Sequence, residues 1–398
     1  MDSASFGAMN NNQLTIVADA HIACVESAFS QLPGFDVELR IVESKEINSA
    51  LLRDADILLT RSSTKVNAEL LAGTPVCFAA TATIGDDHYD KAWLADHQVA
   101  FASAAGSSTG SVLEYMLATL LELHALKRIR LPECCVGIIG AGRIGGSLGI
   151  ILESLGLKVL YNDPPRSRHE GEAGFSDMET LLHEADILTL HTPLHHSGED
   201  ATFHLINRDL FKRFKGKGII NAARGGVVDN ISLLHWLKTD AGNFAVLDCW
   251  EHEPNISIPL LSQAGLVIPT PHIAGHSLDG KTANTLYIYQ ALCRFLKIAP
   301  NWDMGNHLPP RHPYMDFIPT GDDWSDLHRL SQVLYPIRND VQAMRSWSNL
   351  PGDEAGKRFS AFRRHYPERR AWDATPIIAP SASASLIKKA TSIGIKII

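Results

Sequence analysis

The sequence predicts an α/β fold built on parallel, doubly wound sheets. Three observations carry that reading. Short apolar runs alternate with helix-length amphipathic stretches along most of the 398 residues. A glycine-rich turn, Gly140-Ala141-Gly142-Arg143-Ile144-Gly145, follows the apolar run Cys135–Ile139 and opens a helix-like stretch. An acid, Asp163, closes the next apolar run, Lys158–Asn162.

The alternation begins at Leu14. Residues 14–18, 37–42, 57–60, 76–82 and 99–103 read as strands. Residues 21–31 and 89–95 have helical spacing, and 49–52 a helical turn. This first α/β region has no glycine-rich phosphate loop. Residues 111–126 form a long apolar-periodic helix that crosses into a second region. There strands recur at 136–139, 158–162, 187–191, 218–221, 244–247 and 266–269, with helices at 144–155, 178–183 and 230–238. Residues 278–296 read as a helix returning towards the first region. Residues 300–313, rich in proline and asparagine, read as a linker. Beyond them lie a basic helical segment, 358–370, a Ser/Ala tract at 379–384 and a short apolar end.

Composition narrows the function. A net charge of -8 without a long basic run argues against nucleic acid as partner. The apolar stretches are too short to span a bilayer, so no membrane partner is expected. Residues 1–13 are polar and do not read as a signal peptide. Six scattered cysteines without a CxxC pair fit buried thiols in a reducing cytoplasm.

The glycine motif points to a dinucleotide. Gly140 makes the tight turn, Gly142 lets backbone approach a pyrophosphate, and Gly145 lets the helix pack on the strand. Arg143 and Ile144 open the helix whose N-terminus faces the phosphates. Asp163 would accept from the adenosine ribose hydroxyls and repel a 2′-phosphate, which favours NAD over NADP. Thr192, just past a strand end, reads as a wall of the cofactor cleft.

Three successive strand ends then carry an arginine, an acid and a histidine: Arg224 in Asn221-Ala222-Ala223-Arg224-Gly225-Gly226, Glu253 in Asp248-Cys249-Trp250-Glu251-His252-Glu253-Pro254, and His272 in Pro271-His272-Ile273-Ala274-Gly275. Oxidising an alcohol beside a carboxylate needs a base for the hydroxyl proton while hydride leaves. Histidine suits that task because its ordinary pKa lies near neutrality. Glu253 would fix its tautomer, and Arg224 would grip the carboxylate through paired hydrogen bonds. Each residue alone also fits a plain surface or loop role; their convergence beside a dinucleotide motif sets them apart. The histidines 183, 191, 195 and 196 have no metal-ligand spacing and read as solvated loop residues, so no metal is expected.

From about Leu14 to Trp372 the chain resembles the D-isomer-specific 2-hydroxyacid dehydrogenases. The likeness runs through Thr60-Arg61-Ser62-Ser63-Thr64-Lys65-Val66-Asn67, Thr81-Ala82-Thr83, Asp163-Pro164-Pro165-Arg166, His191-Thr192-Pro193-Leu194 and the three strand-end motifs. Leu350-Pro351-Gly352 and Tyr366-Pro367-Glu368-Arg369-Arg370-Ala371-Trp372 are similar to the C-terminal dimerisation domain of one branch only. The resemblance implies two Rossmann-like domains plus a small α+β tail: a split lid/catalytic domain at 14–110 and 273–299, an inserted NAD-binding domain at 111–272, and a dimerisation domain at 300–398. It implies a homodimer that oxidises a phosphorylated 2-hydroxy acid, 4-phospho-D-erythronate, with NAD in pyridoxal phosphate biosynthesis.

Residue by residue, it implies active-site roles for Arg224, Glu253 and His272. It implies NAD contacts at Asp163, Thr192, Ala222, Arg224, Asp248 and Gly275, with Ala223 beside them. Ser62 and Thr83 match substrate contacts, and His276 stands where the family usually has a substrate-binding tyrosine. Arg61, with Arg363, Arg364, Arg369 and Arg370 of the basic tail, offers charge for a substrate phosphate. Ser108, Ile84 and Asp86 depart from the family pattern, and an inward Asp86 would repel that phosphate. Two other functions stay open at this point: another dehydrogenase, acting on 3-phosphoglycerate, hydroxypyruvate or glyoxylate, and a non-catalytic NAD(H)-sensing protein.

Overall fold

The computed structural model describes residues 12–310 and 312–398. Most of the polar start, residues 1–11, lies outside the described residues. The chain divides into two compact units, one running to Ser108 and resuming at Ser277–Pro310, the other Thr109–His276 with Arg311–Ile398.

In the first unit, β1 (Gln13–Asp19), β2 (Asp36–Val42), β3 (Ile57–Thr60), β4 (Phe78–Thr81) and β5 (Ala100–Ser103) form a parallel sheet in the order β2-β1-β3-β4-β5. Leu14, Ile16 and Ala18 pack on one face with Phe29 and with Ile288, Tyr289 and Leu292 of the helix Leu278–Leu296. Val17, Leu58 and Ala79 pack on the other with Leu52, Leu71 and Tyr89. With both faces covered, the inner strands β1, β3 and β4 are almost wholly buried, whereas edge strand β2 carries Asp36, Glu38 and Arg40. One expected helical stretch, 21–31, is shorter. Cys24 adopts φ 55, so the first helix begins only at Val25 and spans Val25–Phe29. Residues 49–52 form the expected turn, closed by Leu52 N donating to Asn48 O at 3.3 Å, with the Asn48 side chain accepting from the amides of Ala50 and Leu51.

In the second unit, β6 (Cys135–Ile139), β7 (Lys158–Asn162), β8 (Ile187–Leu190), β9 (Gly218–Asn221), β10 (Phe244–Leu247) and β11 (Leu266–Pro269) form a parallel sheet ordered β11-β10-β9-β8-β6-β7. The chain reverses direction across the sheet at β6. That reversal point, beyond the carboxyl ends of β6 and β8, is where open α/β sheets bind ligands. Val136, Ile138, Ile220 and Val246 pack with the helices Thr109–Ala125 and Arg143–Ser154. Leu188, Ile219 and Leu247 pack on the opposite face with Leu233, Trp236 and Phe359.

Residues after Arg311 pack within this second unit. They form helices Asp323–Leu334, Ile337–Arg345, Gly352–Arg364 and Ala384–Ser392, with a short parallel pair of strands, β12 (Met315–Asp316) and β13 (Ile377–Ile378). Two acids on the helix Thr109–Ala125 anchor them. Glu122, 4% exposed, takes His328 Nε2 and Arg338 Nε at 2.7 Å each, and Glu114 accepts from the Trp372 amide at 2.8 Å. The basic segment ends its helix at Arg364, short of the expected Arg370. The Ser/Ala tract leads into the last helix, which Ser383 caps by accepting from the Leu386 amide, while Leu386 and Ala390 are buried. Among the described residues, no helix is long and apolar enough to cross a membrane.

Candidate active site

The three motif glycines meet three different steric demands. Gly140 has φ +88, and a Cβ there would lie 2.9 Å from the His191 carbonyl group. Gly145 lies under the turn, where a Cβ would meet Gly140 O at 2.0 Å. Gly142 faces open space, with nothing within 4 Å of a Cβ, and caps the helix Arg143–Ser154 without a side-chain acceptor. A pyrophosphate fits this cradle: first-turn amides lacking a side-chain cap, the positive end of a helix, and no side chain in the way. Thr192 Oγ1 and His191 Nδ1 beside the loop are buried without a protein partner. His191 thus differs from the solvated residue expected. Its Nε2 meets the Thr189 hydroxyl at 3.0 Å, and burial pushes the imidazole down to about 4. His183, His195 and His196 are exposed.

Asp163 closes β7 and reaches back to the same loop. One carboxylate oxygen accepts from Ala141 N at 2.9 Å, and the other caps the helix Pro164–Glu170 through Arg166 N at 3.1 Å. Arg166 Nη1 in turn donates to Ala141 O. The acid therefore locks the glycine turn to the end of β7 as well as presenting negative charge there.

The catalytic candidates Arg224, Glu253 and His272 follow β9, β10 and β11 in the second unit. Gly225 makes this possible: a Cβ there would lie 1.8 Å from Trp250 O, so only glycine lets the Arg224 turn sit against the next loop. Asn221, fully buried, spans the two turns by donating to Arg224 O at 2.9 Å and Cys249 O at 3.3 Å. Arg224 Nη1 donates to Ala223 O at 2.9 Å. His272 Nδ1 lies 2.7 Å from Glu253 Oε2, while Glu253 Oε1 accepts from Trp250 N at 2.7 Å. Burial alone would raise the Glu253 carboxyl. The charge of His272, its hydrogen bond, the Trp250 amide and the nearby Arg363 outweigh that and hold it below its ordinary value.

The turn bearing His272 is strained and firmly held. His272 has φ 55, in the left-handed region that costs a non-glycine residue free energy. Asp248, 1% exposed, holds the turn: Oδ1 accepts from the Thr270 hydroxyl at 2.7 Å and Ile273 N at 2.8 Å, and Oδ2 from Ala274 N at 3.0 Å. Trp250 Nε1 donates to Thr270 O at 2.9 Å. Cys249, Glu253 and His272 each bring a potential ligand atom within 4.8 Å of the others. Burial holds the Cys249 thiol well above its ordinary value, which suits a protonated filler more than a thiolate ligand.

Gly275 and His276 continue the His272 turn, and the His276 ring meets Tyr366 edge-on at 5.9 Å. Ala222 and Ala223 lie at the end of β9. Arg61, Ser62 and Thr83 lie in the first unit at the ends of β3 and β4, which pair through Thr60 and Thr81. The Thr83 hydroxyl meets Thr81 Oγ1 at 2.7 Å. Asp86 pairs with Lys91 at 3.0 Å, which offsets the repulsion feared from its charge. Arg369 is not on a solvated face: it is 5% exposed, 4.2 Å over the Tyr335 ring, and donates to Ala274 O at 2.7 Å. Sequence reasoning missed Asn221, Thr270 and the glycine requirement at 225. A polar residue ending an otherwise apolar strand was the signal for Asn221.

Residues 118–274 match the model of the D-isomer specific 2-hydroxyacid dehydrogenase NAD binding domain. The chain is 39% identical over 387 residues to an erythronate-4-phosphate dehydrogenase of Pseudomonas fluorescens, covering 96% of this chain and 99% of the relative. It is 37% identical over 378 residues to the Proteus mirabilis enzyme of the same name, covering 94% and 97%. A D-lactate dehydrogenase from Aquifex aeolicus, solved with NAD and lactic acid, shares the fold with a TM-score of 0.59 and 22% identity, over 71% of this chain and 95% of that one.

Proposed function

The chain belongs to the erythronate-4-phosphate dehydrogenases, within the D-isomer-specific 2-hydroxyacid dehydrogenases, and from that premise we propose that His272 is its proton acceptor, with Glu253 and Arg224 as partners. The reaction is the NAD-dependent oxidation of 4-phospho-D-erythronate to (R)-3-hydroxy-2-oxo-4-phosphooxybutanoate, a step towards pyridoxal phosphate. The single observation that carries the residue assignment is the 2.7 Å contact between His272 Nδ1 and Glu253 Oε2. It commits Nδ1 to the acid and leaves Nε2 as the atom that takes the substrate hydroxyl proton. Bound NAD supplies the hydride acceptor. Ionised Glu253 stabilises the imidazolium as it forms, and Arg224 anchors the substrate carboxylate and polarises the developing carbonyl.

The glycine loop, Arg143, Ile144, Thr192, Ala222, Ala223, Asp248 and Gly275 are our proposed surroundings of the nucleotide, with Asp163 at the ribose. Ser62, Thr83, His276 and Arg61 are proposed substrate contacts, supported by the resemblance. We propose the same split lid, inserted nucleotide domain and dimerisation tail named above, and a cytoplasmic homodimer. Four of the six cysteines are buried, which fits structural thiols of a reducing compartment. Steady-state NADH formation with 4-phospho-D-erythronate beside 3-phosphoglycerate, D-glycerate and D-lactate tests the activity. Preference for 4-phospho-D-erythronate supports it; tight NADH binding without turnover of any of them supports an NAD(H) sensor instead. Light scattering at micromolar concentration tests the dimer.

A further inference from the structure

The C-terminal segment reaches both arms of the proton-transfer pair. Arg363, near the end of the helix Gly352–Arg364, donates through Nε to the His272 carbonyl at 3.2 Å. Its guanidinium lies 5.9 Å from the Phe359 ring centroid, and Phe359 is itself 1% exposed, so the arginine stem stands on a fixed base. Two turns before Arg363 on the helix, Gly356 lies against the Glu253 loop: a Cβ there would meet Asn255 Oδ1 at 2.4 Å and Pro254 O at 3.3 Å. Arg369 continues the pattern by donating to Ala274 O at 2.7 Å. A histidine at φ 55 stays there only when its surroundings over-determine it. Asp248 holds the amides that follow His272, and Arg363 holds the carbonyl of His272 itself.

We propose that Arg363 is a positioning residue for His272, through which the C-terminal segment is coupled to catalysis. This rests on His272 being the proton acceptor. The arginine acts on the backbone of the turn and so sets where the imidazole meets the substrate hydroxyl. A grip on the substrate phosphate is a different role and has a different kinetic signature.

The test compares Arg363→Ala, Arg363→Lys and the unaltered full chain, with 4-phospho-D-erythronate and NAD. Arg363→Ala is expected to lower kcat by about 10- to 100-fold, the scale of a misplaced catalytic group. KM for the phosphorylated substrate and NADH affinity by fluorescence should stay within about threefold. Amide hydrogen exchange in peptides covering the His272 turn should quicken in the same variant. Arg363→Lys, which keeps a charged donor on a long stem, should recover most of both readouts. Unchanged kcat, a rise in KM at constant kcat, or no recovery by lysine would overturn the role. If the unaltered enzyme failed to turn over, the proposed function would fall, and the exchange measurement would still decide whether Arg363 holds the turn.

Discussion

His272 Nδ1 and Glu253 Oε2 stand 2.7 Å apart, and the second oxygen of the same carboxylate is fixed by the Trp250 amide at the same distance. A glutamine at 253 offers one oxygen for these two demands. Glu253→Gln should therefore lower kcat by about 100-fold, with KM for NAD little changed. Because the Glu253 carboxyl is held below its ordinary value, it stays ionised throughout the neutral range. A limb of the pH–rate profile near neutrality that survives unaltered in Glu253→Gln would contradict its part in stabilising the imidazolium.

Gly225 and Gly226 are adjacent and make opposite predictions. A Cβ at 225 would lie 1.8 Å from Trp250 O, a backbone atom with little room to move. At 226 the nearest atoms, on Leu194 and Phe203, stand at 3.4 Å. Gly225→Ala should cost more than about 2 kcal/mol of stability, as overpacking does, and most of the activity. Gly226→Ala should change stability by under about 1 kcal/mol. Urea unfolding of both variants checks the contrast.

Asp163 has two tasks, capping a helix and facing the nucleotide. Asp163→Asn keeps a capping oxygen, so stability should stay within about 1 kcal/mol. It removes the negative charge, so the preference for NAD over NADP should fall about tenfold. Ratios of kcat/KM for the two nucleotides give the answer; an unchanged ratio would confine Asp163 to its bonds with Ala141 and Arg166.

Asp340, 5% exposed, accepts from the hydroxyls of Tyr335 and Tyr366 at 2.8 Å each, yet burial pushes its carboxyl up to about 6. An unfolded chain titrates the same group at about 4. Between those values the fold holds more protons than the unfolded chain, so stability falls as pH rises through that window and stays lower above it. Asp340→Asn removes the titration while keeping an acceptor for the tyrosines. From pH 4 to pH 8 its stability relative to the parent should improve by about 2–3 kcal/mol, measured by urea unfolding.

Much of this was legible along the chain because it is local. The glycine turn, the acid closing β7 and the motifs ending β9, β10 and β11 depend on short spacings that a parallel sheet turns into neighbours. What escaped depends on distant partners. Glu122 reads as an ordinary helix acid until His328 and Arg338, more than 200 positions away, close on it. Arg363 reads as one cation of a basic face until its helix lies beside the His272 carbonyl. The helix Ala384–Ser392 was hidden behind a Ser/Ala tract whose last serine is its cap. Local backbone also misled: Cys24, at φ 55, delays to Val25 a helix that the spacing starts at residue 21.

One imidazole, that of His272, takes the substrate proton in the proposed mechanism. The direct measurement is NADH formation from 4-phospho-D-erythronate by His272→Gln beside the unaltered enzyme, with NADH affinity measured by fluorescence on both. The expected result is a fall in kcat of about 1,000-fold or more with affinity within about threefold. Retained turnover, or a parallel collapse of nucleotide binding, would contradict it.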